Sequence, residues 1–312
     1  MIDIIIPAYN ASETIERTLY SISYQTIVDK VNVYIINDAG KENYKKYIDF
    51  FKRFMNIKEI KLKKNGGPGV AREEGIKNSR SNYITFIDSD DIFSNPKSIE
   101  YMYNAIKKNN SDIVVADFYE QSTVGEYRLH SHDTTWMHGK MYRRSFLKKK
   151  NIHFNDSRAN EDNAFNHAIF IRDPKVTYLN KDVYYWLYNK NSITRSNNCE
   201  YNYTGIFGYV ENMVYVLEGA IKDKVKPDKI AALAISVFYA MYYYYLNWER
   251  IELAKASKRL LEIVDEYPVK DADELTQIIK DQFFTSFDVL DKEKLANPKI
   301  DIMEFVKLVE ES

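Results

Sequence analysis

Short apolar runs alternate with amphipathic segments between residues 1 and 120 of the chain. The apolar runs have the length of strands, and the segments between them have the residue spacing of helices. This alternation is typical of βα units that build a mostly parallel sheet, so we expect an α/β fold. The expected strands are 3–7, 31–36, 57–62, 83–88 and 112–117, and the expected helices lie near 12–26, 42–55, 69–80 and 96–109.

The pattern changes twice further along the chain. From about 130 to 200 it is less regular, with a basic helix-like run at 142–150 and an apolar helix that opens at Asn160. After about 200 only helical patterns occur. We therefore expect a catalytic or binding domain over 1–200 and a helical accessory region over 201–312.

One uncharged segment, Ile230 to Trp248, has the length of a membrane span. Four consecutive tyrosines at 242–245, together with Ser236 and Asn247, make it less apolar than most spans. We interpret it as a buried or partner-facing helix and expect no transmembrane anchor. A homodimer through the C-terminal helices and a peripheral membrane contact both remain open.

Composition narrows the range of partners and compartments. With 44 Lys and Arg against 45 Asp and Glu, the formal net charge is -1, which argues against nucleic acid as a partner. A single cysteine, Cys199, excludes a disulfide framework and suits a reducing compartment. The N-terminal residues lack a signal-peptide pattern. We expect a cytoplasmic protein, either free or at the inner face of the membrane.

Polar residues follow each of the first four expected strands. Because the carboxyl ends of parallel strands meet at one edge of a sheet, these residues should converge on one crevice. The residues at these strand ends are Pro7, Ala8, Tyr9 and Asn10 for the first strand, Asn37 and Asp38 for the second, Asn65 to Gly69 for the third, and Asp88, Ser89, Asp90 and Asp91 for the fourth.

The acidic run and the glycine-rich loop each allow two interpretations. Carboxylates two residues apart at a strand end suit Mg2+ or Mn2+, but they also suit a turn with a helix cap. The loop at 65–75 could bind an anion through its backbone N–H groups, or it could be a plain turn. It lacks the lysine of a P-loop, and Arg72 replaces the last small residue of a dinucleotide fingerprint.

Three later segments carry further candidates. Glu161 and Asp162 open a helix, where they could act as caps, or one of them could remove a proton from an acceptor hydroxyl. The loop at 189–196 offers Lys190, Ser192, Thr194 and Arg195 to a diphosphate, or it is an ordinary surface loop. The residues expected on the acceptor side are Trp136, His138 and Lys140.

In order and in residue type, seven strings in the first 200 residues resemble family 2 glycosyltransferases with the GT-A fold. The resemblance implies a Rossmann-like, mostly parallel sheet flanked by helices, and an enzyme that moves a sugar from a UDP-sugar to an acceptor hydroxyl with inversion. The strings are IIIPAYNASETIERTLYSISYQT, IINDAG, NGGPGVARE, ITFIDSDD, GKMYRRSFL, NEDNAF and NSITRS.

The resemblance also implies roles for single residues. Asp162 would be the catalytic base and Glu161 its companion. Asp90 and Asp91 would hold Mn2+ or Mg2+, and Asp88 would contact the ribose. The remaining donor-nucleotide contacts would be Pro7, Ala8, Tyr9, Asn10, Asp38, Asn65, Gly69, Arg72, Ser89, Ser192 and Arg195.

Two other functions stay open at this point. A sugar nucleotidyltransferase shares a similar fold and similar metal chemistry, although it would need a glycine-rich basic loop after the first strand, where this chain has PAYNASET. A catalytically silent, nucleotide-sugar-binding scaffold would use the helical region to hold partners.

Overall fold

The computed structural model describes residues 1–157, 159–190, 200–268 and 296–312, and for 200–204 only the backbone. The chain divides into two compact units, Met1–Tyr201 and Asn202–Ser312.

A mixed sheet forms the centre of the first unit. Its parallel part has the order β3-β2-β1-β4. Strands β1 and β2 are almost wholly buried, which explains their continuous apolar sequence. The ranges are β1 Ile2–Ala8, β2 Val31–Asn37, β3 Asn56–Lys61 and β4 Tyr83–Phe86.

The second part of the sheet was only partly predicted. The expected strand at 112–117 is β6, which extends to Thr123, and four further strands were missed. The expected helix at 142–150 was wrong in its first residues, because Lys140–Arg143 pairs antiparallel with both β4 and β6 as a strand. The ranges are β5 Ile92–Phe93, β6 Ile113–Thr123, β7 Glu126–His130, β8 Lys140–Arg143 and β9 Val176–Trp186.

Strands β6 and β9 run parallel but change register. Ala116 pairs with Leu179 and Phe118 with Tyr184, so β9 contains extra residues between these pairs. Such irregularities bend a strand and increase its twist. They curl this part of the sheet.

Helices flank the sheet where the sequence predicted them. In α1 the buried residues Ile15, Leu19 and Ile22 lie on one face, as the helical spacing requires. The helices of the first unit are α1 Ile15–Ser23, α2 Lys45–Phe51, α3 Pro68–Asn78, α4 Ser98–Lys108, α5 Arg144–Lys149 and α6 Glu161–Phe170.

The described residues of the second unit form helices. Among the described helices, Pro227–Trp248 is the one long and apolar enough to cross a membrane, and 61% of its apolar stretch is buried within the protein. The C-terminal helix starts with a capping box between Asp301 and Glu304. The ranges are α7 Glu200–Lys222, α8 Pro227–Trp248, α9 Ile251–Ala256, α10 Lys258–Glu266 and α11 Ile302–Glu310.

Candidate active site

Asp38 ties the glycine-rich loop to the end of β2. Its two carboxylate oxygens accept hydrogen bonds from the backbone N–H groups of Gly66 and Gly67, each at 2.8 Å. Gly67 has a φ of 87°, a left-handed conformation that favours glycine. The Asn65 side chain donates to the Asp38 carbonyl at 3.3 Å. The loop is therefore fixed beside the ends of the first two strands, as expected for a ligand crevice.

The loop after β1 is held in a similar way. Asn10 has a φ of 49°, and its side-chain oxygen accepts a hydrogen bond from the Lys41 N–H at 2.9 Å. Pro7 and Ala8 are buried as the last residues of β1. Tyr9 is 56% exposed, so its ring is free to contact a ligand.

Arg72 joins two carboxylates from different elements. Its Nη2 donates to Asp88 Oδ1 at 2.7 Å, and its Nη1 donates to Glu161 Oε1 at 2.6 Å. The Arg72 side chain is 5% exposed, so its pair with the buried Glu161 is shielded from water, whereas the Asp88 side chain is 30% exposed. We expected Arg72 to contact the donor; the structure shows its guanidinium engaged between Asp88 and Glu161.

The electrostatics of these groups follow from burial and from their neighbours. Burial alone would raise the pKa of Asp88, but Arg72 and His138 hold it well below its usual value. Burial raises the pKa of Glu161 to about 7, with Asp162 adding to the rise and Arg72 opposing it. At neutral pH, Asp88 is therefore ionised and Glu161 is close to its titration point.

Asp90 and Asp91 have different surroundings. Asp91 is fully buried, and its carboxylate accepts hydrogen bonds from the Tyr184 hydroxyl at 2.6 Å and the Leu187 N–H at 2.8 Å. The Asp90 carboxylate accepts a hydrogen bond from the Asn189 side chain at 2.7 Å. Burial, together with the neighbouring acidic groups, raises the pKa of both carboxyls. Ser89, between Asp88 and Asp90, is partly exposed.

His138 lies against the acidic cluster. Its Nε2 is 3.8 Å from Asp88 Oδ2 and 3.9 Å from Asp91 Oδ2. The imidazole is buried and stacks on the indole of Trp186, with ring centroids 4.8 Å apart. We expected His138 on the acceptor side, whereas the structure brings it to the two carboxylates.

The donor set of Asp88, Asp91 and His138 fits a divalent cation. One ligand atom from each residue can be chosen so that all three lie within 4.8 Å of one another. Carboxylate oxygens suit Mg2+ and Mn2+, and the presence of an imidazole nitrogen favours a transition metal such as Mn2+ over Mg2+. His138 Nδ1 is buried and has no hydrogen-bond partner among the described residues. Asp90, which we expected to bind the metal, lies outside this group.

Trp136 and Lys140, also expected on the acceptor side, have different exposures. Trp136 is partly buried, and its ring centroid lies 5.6 Å from that of Trp186. Lys140 is 1% exposed and donates to the backbone carbonyl of Trp136, so it cannot contact an acceptor in this conformation. Burial lowers the pKa of Lys140 to about 8, while Asp133 and Asp162 oppose the shift.

Glu161 and Asp162 occupy the first turn of α6, as the sequence predicted. Asn160, the residue before them, is left-handed with a φ of 60°. Gly69 lies against Glu161, and a Cβ on Gly69 would be 2.7 Å from Glu161 Cγ. Asp162 is partly exposed, and its Oδ1 accepts a hydrogen bond from the Asn163 N–H at 2.8 Å. Asp162 is thus the more accessible of the two carboxylates.

The expected diphosphate loop is only partly described. Ser192, Thr194 and Arg195 lie outside the described residues, and Lys190 is exposed. Sequence reasoning missed Tyr184 and Asn189. Tyr184 lies in β9 and donates a hydrogen bond to Asp91, and Asn189 follows β9 and donates one to Asp90. The run DVYYW at 182–186 is rich in β-branched and aromatic residues, a strand signal that could have indicated Tyr184.

Comparisons with known proteins agree with this geometry. The fold is the GT-A fold: the structure of residues 1–349 of TarS from S. aureus in complex with UDP-GlcNAc matches with a TM-score of 0.70 at 17% identity, covering 90% of this chain and 84% of that one. Residues 3–159 match the family model described as Glycosyl transferase family 2. The chain therefore belongs to this family of transferase enzymes.

Two relatives show the extent of the likeness. One is a protein of Bacillus subtilis (strain 168) named uncharacterized glycosyltransferase EpsJ, 30% identical over 221 residues, or 62% of this chain. The other is the poly(ribitol-phosphate) beta-N-acetylglucosaminyltransferase TarP of Staphylococcus aureus (strain N315), 26% identical over 204 residues, or 60% of this chain. The matches span 63% and 62% of the length of these relatives.

Proposed function

We propose that the protein is an inverting, metal-dependent glycosyltransferase that moves a sugar from a UDP-sugar to an acceptor hydroxyl. The observation that carries the proposal is the group formed by Asp88, Asp91 and His138 at the end of β4. The family membership and the position of Glu161 and Asp162 at the start of α6 support it.

The donor would bind along the ends of the first four strands. The exposed ring of Tyr9 and the glycine-rich loop held by Asp38 offer surfaces for the nucleotide base and the ribose. The TarS structure with UDP-GlcNAc and the activity named for TarP make UDP-GlcNAc the first donor to test. A UDP-sugar is preferred over other nucleotide sugars for the same reason.

Asp88, Asp91 and His138 would hold Mn2+ or Mg2+, with Asp90 as a further candidate. When bound, such an ion neutralises the charge that develops on the departing diphosphate. Arg72 keeps Asp88 ionised and therefore suited to bind a cation. Ser192 and Arg195 stay our candidates for contacts with the diphosphate.

Asp162 would act as the base. Asp162 is partly exposed, whereas Glu161 is buried, so an acceptor hydroxyl can approach Asp162. One base and attack from the side opposite the leaving group give inversion at the anomeric carbon. The acceptor would lie beside the partly buried Trp136, whose indole combines an apolar ring with an N–H donor.

Location and assembly stay predictions. A cytoplasmic location, free or at the inner face of the membrane, agrees with the single cysteine, which suits a reducing compartment. Homodimer formation through the C-terminal helices would make sedimentation depend on protein concentration.

Calorimetric titration with UDP, with and without Mn2+, tests the proposal. We expect Mn2+ to tighten UDP binding by the wild-type protein and expect H138Q to lose this effect. H153Q is the matched control, because His153 is 45% exposed and pairs with Glu73. D90N tests whether Asp90 rather than His138 is a metal ligand. Loss of the Mn2+ effect in D90N, with retention in H138Q, would favour Asp90. No UDP binding by the folded wild-type protein would contradict the proposal.

A further inference from the structure

The segment 133–139, here named the Trp136 loop, is tightly built against the sheet. The Asp133 carboxylate accepts hydrogen bonds from the N–H groups of Thr135 and Trp136 at 2.9 and 2.8 Å. Gly139 has a φ of 65°, and a Cβ there would lie 2.8 Å from the Ala116 carbonyl oxygen. The loop carries His138, so its backbone decides where the imidazole sits.

Asn166 holds the Trp136 loop from helix α6. Its side chain is fully buried, and its Nδ2 donates to the carbonyls of Thr135 at 2.8 Å and Trp136 at 3.0 Å. Its Oδ1 accepts a hydrogen bond from the Tyr142 hydroxyl at 2.9 Å. Lys140 also donates to the Trp136 carbonyl, so two buried donors meet on one oxygen. The Asn166 side chain makes three specific hydrogen bonds in an apolar setting, where each lost bond is costly.

Asn166 also lies four residues after Asp162 in the same helix. Residues at this spacing share a face of a helix, so Asp162 and Asn166 project from the same side of α6. One helix therefore carries both the proposed base and the clamp on the loop that carries His138. Any shift of α6 would be transmitted to His138 through the Asn166 amide.

We propose that Asn166 is a positioning residue that sets His138 against Asp88 and Asp91, and so fixes the cation group relative to Asp162. This inference rests on the proposed function, because it assumes that His138 binds the cation. Outer groups that orient a metal ligand commonly change metal affinity about 10- to 100-fold when they are removed. Asn166 would exert an effect of this kind without touching the cation.

The test measures the Mn2+ concentration at which UDP binding is half-enhanced, by calorimetry, in wild type and N166A. We expect N166A to raise this midpoint about tenfold or more. The matched control is N32A, since Asn32 is a partly buried amide that donates to Asp3 Oδ1 and Ser81 Oγ at the start of β2. N32A should lower stability without moving the midpoint. Near-UV circular dichroism of the Trp136–Trp186 pair provides a second readout, which needs no ligand.

A double-mutant cycle with H138Q separates positioning from general damage. Because H138Q is expected to lose the Mn2+ effect, the cycle compares UDP affinities at one fixed Mn2+ concentration. N166A should weaken UDP binding when His138 is present and should have no further effect in the H138Q background, because the residue it positions is gone. If N166A does not fold, N166S replaces it, since serine is uncharged and its single hydroxyl can donate to at most one of the two carbonyls. Equal midpoints for wild type and the Asn166 variant would overturn the inference and leave the proposed function standing. Absence of any Mn2+ effect in wild type would overturn both.

Discussion

Arg72 and Glu161 form a buried ion pair between helices α3 and α6, with Nη1 2.6 Å from Oε1. The same guanidinium donates to Asp88 at the end of β4 at 2.7 Å. Arginine can serve two carboxylates at once because its donors form a rigid planar fork. Helix α3, the acidic run after β4 and helix α6 therefore meet at the Arg72 guanidinium.

Replacing Arg72 with lysine should be severely destabilising. A single ammonium cannot keep both contacts, so one buried carboxylate would lose its partner, at a cost of about 3–5 kcal/mol. Urea unfolding of R72K measures this loss. R80K is the matched control: Arg80 is exposed, its Nη1 donates to the carbonyls of Lys77 and Ser79, and the variant should stay within about 0.5 kcal/mol of wild type. Equal stabilities of R72K and R80K would contradict a bridging role.

Glu161 should make stability fall as pH rises through neutrality. Its pKa is about 7 in the folded protein against an ordinary 4.5, so between these values the folded state holds a proton that the unfolded state has released. The free energy of unfolding then decreases with rising pH across this window. E161Q removes the titration of this carboxyl. Asp90 and Asp91, whose pKa values are also raised, are present in both proteins, so their contribution cancels in the comparison. The stability of wild type relative to E161Q should fall between pH 5 and pH 7.5; a constant difference would show that Glu161 does not titrate there.

The local sequence predicted the four parallel strands and the helices between them because these elements carry a clear hydrophobic period. Strands β5 and β8 were missed because the two residues of β5 are too few to show a period and β8 begins with a lysine. Lys140 stays buried there because the carbonyls of the Trp136 loop accept its hydrogen bonds, a contact that no local pattern reports.

The same distinction applies to the candidate site. Asp88, Asp91, Glu161 and Asp162 were predictable because they are charged residues at strand or helix ends. The pairing of His138 with the carboxylates depends on β8 lying beside β4, which is a matter of tertiary topology. Tyr184 reaches Asp91 across 93 residues of sequence, and no spacing rule links them.

Asp162 should be required for turnover and dispensable for donor binding. Loss of a general base commonly lowers the rate about 10²- to 10⁴-fold. D162N keeps the size of the side chain and its possible hydrogen bond to the Asn163 N–H, so we expect this loss in UDP release from UDP-GlcNAc and an unchanged UDP affinity. D156N, at an exposed position before α6, is the control and should retain activity. A D162N protein as active as D156N would assign the base elsewhere.

Gly69 should resist a substitution that helix propensity alone would favour. Alanine is better than glycine in a helix by about 1 kcal/mol, and Gly69 is the second residue of α3. A Cβ at this position, however, would be 2.7 Å from Glu161 Cγ and 2.9 Å from the Asn155 carbonyl oxygen. G69A should therefore displace the start of α6, lowering both the free energy of unfolding and the UDP affinity.

Gly125 supplies the control for this prediction. It has a φ of 90°, and a Cβ there would meet nothing within 4 Å. G125A should cost about 1–2 kcal/mol through backbone strain alone, with no change in UDP binding. Urea unfolding and calorimetry on both variants distinguish the two effects. If G69A were more stable than wild type, the packing of Glu161 against α3 would be looser than the structure shows, and propensity would decide the outcome.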